Sequence, residues 1–321
     1  MQRAAPFGAA FADVSDKPGE EMMKQILLRA ACGAIIVSAT VHAAPPAEDP
    51  RSMGGGRCQD SVYNCAATPN PLPATKTVWI DQMTWMDVRD ALAAGKKTVI
   101  IPSGGIEPNG PWTVLGKHDY IARGLCDAVA RRLGNALCAP VVEFVPEGEP
   151  GGAMAHMNTV GTIGVSDTTY AALLSDIARG MKLHGFENII LIGDHGGGQK
   201  VMADVAASLN KEWGTTNAFY IKAFYDSWEG ADSLLQKEWG LWKSDAKDGV
   251  HDDPDVEFQL ISLQELESVR WQERVKAGKA VIEGVSVASL PKAREWGGKL
   301  IDYRAGVTVE AINKATAARG R

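Results

Sequence analysis

Short apolar runs alternate along the middle of the chain with longer stretches whose apolar positions recur every three or four residues. Val99–Ile101, Leu137–Phe144, Asn188–Ile192 and Ala218–Ala223 read as strands, and their run-on hydrophobicity is that of strands buried on both faces. Helices are expected over 84–94, 119–133, 166–184 and 199–212. Thr84 and Ser166 are N-cap candidates, Gly95 and Gly185 are stops, and Ile121, Leu125, Val129 and Leu133 share one helical face. This alternation predicts an α/β fold with a parallel sheet covered by helices on both sides. Beyond it, 227–247 is irregular, 253–266 reads as a helix and 300–318 as the C-terminal helix. No internal repeat is visible.

The start of the chain follows different rules. Lys24 and Arg29 precede an apolar stretch from Ala30 to Thr40, and Val41-His42-Ala43 resembles a signal-peptidase site. That stretch is too short to span a bilayer. Residues 1–43 are therefore expected to be a leader that is removed, and the mature protein to be periplasmic or secreted with no membrane span. Residues 44–78, rich in Pro, Gly, Asn and Ala, read as an extended arm ahead of a single domain over 79–321. Outside the leader lie Cys58, Cys65, Cys126 and Cys138. An even number in an exported chain suggests disulfides, with three connectivities possible. A local bridge between Cys58 and Cys65 suits the core-poor arm, and Cys126 with Cys138 is the complementary pair. Neither spacing is the short CxxC of a zinc knuckle.

The 321 residues are 45% hydrophobic and 22% charged, with a formal net charge of -6. This is the composition of a globular protein, and without Lys/Arg blocks it argues against nucleic acid as a partner. Polar chemistry gathers instead where strands end. After Ile101 the chain enters a Gly/Pro-rich loop holding Glu107, Asn109, His118 and Asp119, and after Ile192 it breaks at Gly193-Asp194-His195-Gly196-Gly197-Gly198. If the two strands are neighbours, both loops open on one edge of the sheet, where open α/β folds build their sites. Carboxylates and imidazoles meeting there suit zinc or manganese. Gly196 and Gly197 let the backbone approach a ligand closely, and the helix after them offers amide donors.

The runs IPSGGIEPNGP…LGKHDYIA and GTIGVSDTTYAALLSDIARGMKLHGFENIILIGDHGGG resemble the creatininase (creatinine amidohydrolase) family. Its members typically read P-x-G-x-x-E-x-H-G-P-H-L-P-L-x-x-D, then G-T-I-x-(S/T), then N-G-H-G-G-N. The likeness covers roughly 79–320. It implies a three-layer α/β/α fold with a mostly parallel sheet, metal-dependent hydrolysis of a C–N bond in a small cyclic or linear amide or lactam, and a homo-oligomer, often a hexamer.

Carried over position by position, Glu107 matches the family's first metal-binding glutamate and His195 its histidine. Asn109 stands where a histidine is usual, and His118 where the bridging aspartate is usual. In GVHDDPDVEF, His251 matches a family histidine, Asp252 and Asp253 replace small residues, and the glutamate column falls on Val256 unless a gap moves it to Glu257. These departures favour one ion over two, held by Glu107, His118 and His195 with Asp252 nearby. Asp119, Asp194, His251 and Asp253 are the candidate catalytic or orienting groups. Asn109, His156, Gly196, Gly197 and Trp228 are the candidate substrate contacts, Trp228 being either an aromatic wall or simple packing. Two alternatives stay open: a degenerate, non-catalytic ligand-binding member, or a lactone or ester hydrolase using the same residues.

Overall fold

The protein is described by a computed structural model over residues 58–152, 156–241 and 253–318. The leader, the start of the arm, Trp242, His251 and Asp252 lie outside the described residues.

Helix α1 (Trp85–Ala93) opens with a reciprocal capping box between Thr84 and Asp87, which satisfies two otherwise orphaned amides. It leads to β1 (Thr98–Ser103), every residue of which is buried. Then come α2 (Lys117–Leu133), β2 (Ala136–Cys138), α3 (Asp167–Leu183), β3 (Asn188–Gly193), α4 (Gln199–Trp213), β4 (Ala218–Tyr220) and α5 (Lys222–Ser233). The chain continues through α6 (Pro254–Ser262), α7 (Trp271–Lys276), the small hairpin β5 (Val281–Ile282) and β6 (Val285–Ser286), and finally α8 (Leu290–Ala317).

The main sheet runs β2-β1-β3-β4, parallel throughout. Successive side chains of a strand face opposite ways, so the two faces bury separate sets. Ile100, Ile190 and Ile192 pack with residues of α2, α5, α6 and α8. Val99, Ile101, Ile189 and Leu191 pack with residues of α1, α3 and α4. The result is three layers, α/β/α.

Several elements differ in extent from the sequence reading. The second strand stops at Cys138, where Pro140 lacks a ladder donor, and the fourth stops at Tyr220. The irregular region after it begins as α5, held beneath α8. The last helix starts at Leu290 and runs through Gly297-Gly298. A Cβ at Gly297 would lie 1.8 Å from the Phe258 carbonyl oxygen, so the glycine is what lets α8 cross α6 closely.

Two disulfides form, Cys58–Cys65 and Cys126–Cys138. The arm beyond the first is tied down: Arg89 donates to the carbonyls of Ala66 and Thr68, and the Cys138 amide donates to Val78. Replacing both Cys126 and Cys138 with alanine removes a cross-link between residues 12 apart. Unfolding free energy in urea is expected to fall by about 2–4 kcal/mol. Unchanged stability would show that core packing alone fixes this corner.

Helix α8 is fastened to the sheet edge by a fully buried ion pair, Arg304 Nη2 to Asp194 Oδ1 at 2.7 Å. Burial would raise the Asp194 carboxyl, but the Arg304 charge and the hydrogen bond and charge of His118 hold it below the usual range. Asp194→Asn leaves Arg304 without its counter-charge and is expected to cost about 3–5 kcal/mol at neutral pH. A lowered carboxyl pKa contributes fully above the unfolded value of about 4 and is lost as pH falls through the folded value. The stability gap between parent and variant, read from urea unfolding, should therefore narrow below about pH 4. A gap absent at pH 7, or constant down to pH 3, contradicts this.

Candidate metal centre

In the order β2-β1-β3-β4 the connections leave β1 and β3 toward opposite sides, which opens a crevice at their carboxyl ends. The register pairs Ser103 with Gly193, so the loops that follow start side by side. The loop after β1 is folded back on itself, with the Glu107 amide donating to Leu115 and the Ile106 amide to Glu147 Oε1. This presents the Glu107 side chain to a cavity of about 450 Å³.

Glu107 is 2% exposed and both of its oxygens are engaged. Oε1 faces His118 Nε2 at 2.8 Å and Lys117 Nζ at 3.3 Å. Oε2 faces His195 Nε2 at 2.8 Å and His156 Nδ1 at 2.5 Å. Burial alone would raise this carboxyl, but the hydrogen bonds of His118 and His195 and the charges of His118 and Lys117 hold it far below its ordinary range. It is an ionised carboxylate.

Glu147, from the loop after β2, brings Oε2 to 3.0 Å from His195 Nε2 and 3.1 Å from His156 Nδ1. Glu107, Glu147, His156 and His195 each place one donor atom within 4.8 Å of the others, the group among the described residues that can hold a metal ion. Two carboxylates and two imidazoles on three loops of one sheet edge form a donor set suited to zinc or manganese. Burial opposes the charge of His195, yet Glu107 and Glu147 outweigh it and push its pKa up to about 9. The Gly197 amide donates to His195 Nδ1 at 2.9 Å, so the proton of the neutral ring sits on Nε2. To hold a cation through Nε2, His195 would carry its proton on Nδ1, the atom to which the Gly197 amide donates.

The remaining sequence candidates fall in several places. His118 is outside the group of four, because both its nitrogens already face carboxylates: Glu107 on one side and, at 2.7 Å, Asp194 Oδ2 on the other. Asp194 therefore orients His118, and Arg304 orients Asp194. Asp253, Gly196, Gly197 and Trp228 line the cavity. Trp228 donates its indole N–H to the Asp194 carbonyl and stacks on the Arg304 guanidinium at 3.8 Å.

Two expectations are corrected. Asp119 lines a different cavity, with Trp112, Tyr120, Arg123 and Arg270, since successive helical residues project about 100° apart and its neighbour His118 takes the site side. There it accepts from the Gly105 amide, and burial pushes its carboxyl up to about 7. Asn109 is 2% exposed and is not among the residues lining the main cavity. Sequence reasoning passed over Glu147, Lys117, Tyr225, Asp232 and Asp255, all at this cavity or its donor group. The signal for Glu147 was a carboxylate flanked by Pro146 and Gly148 just past a strand.

Comparison with known proteins accords with this architecture. The family model described as creatinine amidohydrolase (Creatininase) matches residues 81–321. A creatinine amidohydrolase of Pseudomonas putida is 25% identical over 122 residues, which is 38% of this chain and 46% of that protein. The matched segment thus spans about half the length of that curated relative. A crystal structure of creatinine amidohydrolase (creatininase) superposes with a TM-score of 0.58 at 17% identity, covering 75% of this chain and 98% of that one. A manganese creatininase gives 0.55 at 18% identity, covering 74% and 98%. A creatininase variant of Zn–Zn type gives 0.57 at 17% identity, covering 75% and 98%. With the three-layer fold and a match across three quarters of its length, the chain belongs to the creatininase family.

Proposed function

We propose that the protein is a metal-dependent amidohydrolase that cleaves a C–N bond in a small cyclic or linear amide. The observation that carries this reading is the convergence of Glu107, Glu147, His156 and His195 donor atoms at a cavity sized for a small molecule. These four residues would hold one divalent ion, zinc or manganese, the metals named for the creatininase structures above. Such an ion supplies Lewis acidity toward a carbonyl and lowers the pKa of water toward neutrality.

The chain's own side chains provide the rest. Lys117 is 2% exposed, lines the cavity and sits beside Glu107, so its ammonium can stabilise negative charge developing on a carbonyl oxygen. The line Arg304–Asp194–His118 fixes Glu107 from behind, so the carboxylate keeps its position as substrate enters. Gly197 lets its turn pack directly against the loop that carries Glu147, since a Cβ there would lie 1.8 Å from the Pro146 carbonyl oxygen. Asp253, in the lining of the same cavity, is the carboxylate we assign to proton transfer.

A degenerate, non-catalytic role would follow from Asn109 and Val256 if those positions had to supply ligands. Glu147 and His156 provide the donors instead, which favours the enzyme over that alternative and over a metal-free lactone or ester hydrolase. Export is part of the same proposal, supported by the leader pattern and by two disulfides, which persist in oxidising compartments. Assembly into a homo-oligomer, a hexamer by the family resemblance, is proposed with it.

Metal analysis after purification without chelator is expected to find about one equivalent of zinc or manganese, the stoichiometry one tetrahedral site requires. Glu147→Gln should lower metal affinity and amide hydrolysis by tenfold or more, on the order of losing a ligand's support. Asp204→Asn, at an exposed carboxylate of α4, should change neither. Metal content indifferent to Glu147→Gln, or hydrolysis persisting in metal-free protein, would sink this reading.

A further inference from the structure

The cavity that holds the donor group has a second set of carboxylates in its lining: Asp232 on α5 and Asp253 and Asp255 at the start of α6. Asp255 is 2% exposed, lines the cavity, and its Oδ2 has no hydrogen-bond partner among the described residues. A buried carboxylate oxygen left this way is costly unless something cationic meets it.

Among the described residues the charge of Arg304 reaches both Asp232 and Asp255, but its hydrogen bonds go elsewhere. Its Nε donates to Ser227 Oγ at 2.9 Å, its Nη1 to Gln259 Oε1 at 2.9 Å, and its Nη2 to Asp194. Burial and mutual repulsion push Asp232 up to about 6 and Asp255 well above its ordinary value, a strain that an incoming positive charge relieves. A bare metal ion does not match this set. Among the described residues these three carboxylates do not draw together into a metal-holding group, whereas the four donors of the metal centre do. Carboxylates that share a cavity lining with the aromatic rings of Tyr225 and Trp228 suit a larger organic cation.

We propose that Asp232 and Asp255 form a subsite for a protonated amino group of the substrate, holding it so that the scissile amide reaches the Glu107–Glu147–His156–His195 group. The assignment of the amide rests on the amidohydrolase reading; the cation subsite does not. The class of substrate is then a small amide or lactam bearing an amine at its far end.

The probe is benzylammonium, with benzyl alcohol as its neutral isostere, titrated calorimetrically into the protein at low ionic strength. Benzylammonium is expected to bind at least tenfold more tightly than benzyl alcohol. Asp255→Asn and Asp232→Asn should each weaken it tenfold or more without changing metal content, and Glu147→Gln should leave it within about twofold while metal is lost. Because Asp255→Asn puts a neutral group of nearly the same shape where burial disfavours a charge, its melting temperature should be no lower than that of the parent, and Asp232→Asn tests the same subsite independently. An amide panel offered with and without a distal amine should show at least tenfold higher kcat/KM for the aminated members, a preference that collapses in Asp255→Asn. Equal binding of the two probes, or benzylammonium affinity indifferent to both aspartates, overturns the subsite. Aspartate-dependent binding with no hydrolysis of any amide overturns the enzymatic reading and leaves the subsite standing.

Discussion

One buried carboxylate organises the site. Glu107 sits at the end of the central strand pair with almost no access to water, and it stays ionised because an ammonium and three imidazoles converge on its two oxygens. Removing a charge from water is expensive, and the expense is offset only when every lone pair is met. The loops after β1, β2 and β3 are accordingly not independent. Each supplies a partner to Glu107 or to a group that touches it, and the Ile106 amide on Glu147 ties the first loop to the second.

The same constraint reaches through the fold. His118 is held by Asp194, Asp194 by Arg304, and Arg304 by Ser227 and Gln259, so a chain of polar contacts runs from the cavity into the helices that cover one face of the sheet. Helix α8 can lie close enough to contribute Arg304 because Gly297 removes the side chain at its crossing with α6. Stability and site geometry thus share one network, and the helical layer fixes the rotamers that point at the cavity. The same cavity is also lined by Asp232 and Asp255, whose carboxylates feel the charge of Arg304 while its hydrogen bonds go to Ser227, Gln259 and Asp194.

Much of this was legible in the chain. The strands announced themselves because residues such as Ile100 and Ile190 are apolar on both faces, and their glycine-rich ends marked Glu107 and His195 as neighbours once β1 and β3 were adjacent. What escaped was set by tertiary contact. The last helix was expected from residue 300, yet it starts at Leu290 and passes through Gly297, which permits its crossing with α6. Glu147 belongs to no periodic element, so nothing short of the folded loop shows that it reaches His195 and His156. Asp119 and His118 are adjacent in sequence, yet the helix sends them into different cavities. Asn109 has the right loop yet does not line the cavity, which a pattern of residue types does not encode.

Anomalous diffraction from crystals of the protein soaked in zinc tests the central claim most directly, because it locates the ion without reference to activity. The account predicts one strong peak within coordination distance of Glu107, Glu147, His156 and His195, with His118 still bridging Glu107 and Asp194. A peak centred on His118 and Asp194, or none at the sheet edge in zinc-saturated protein, would contradict it.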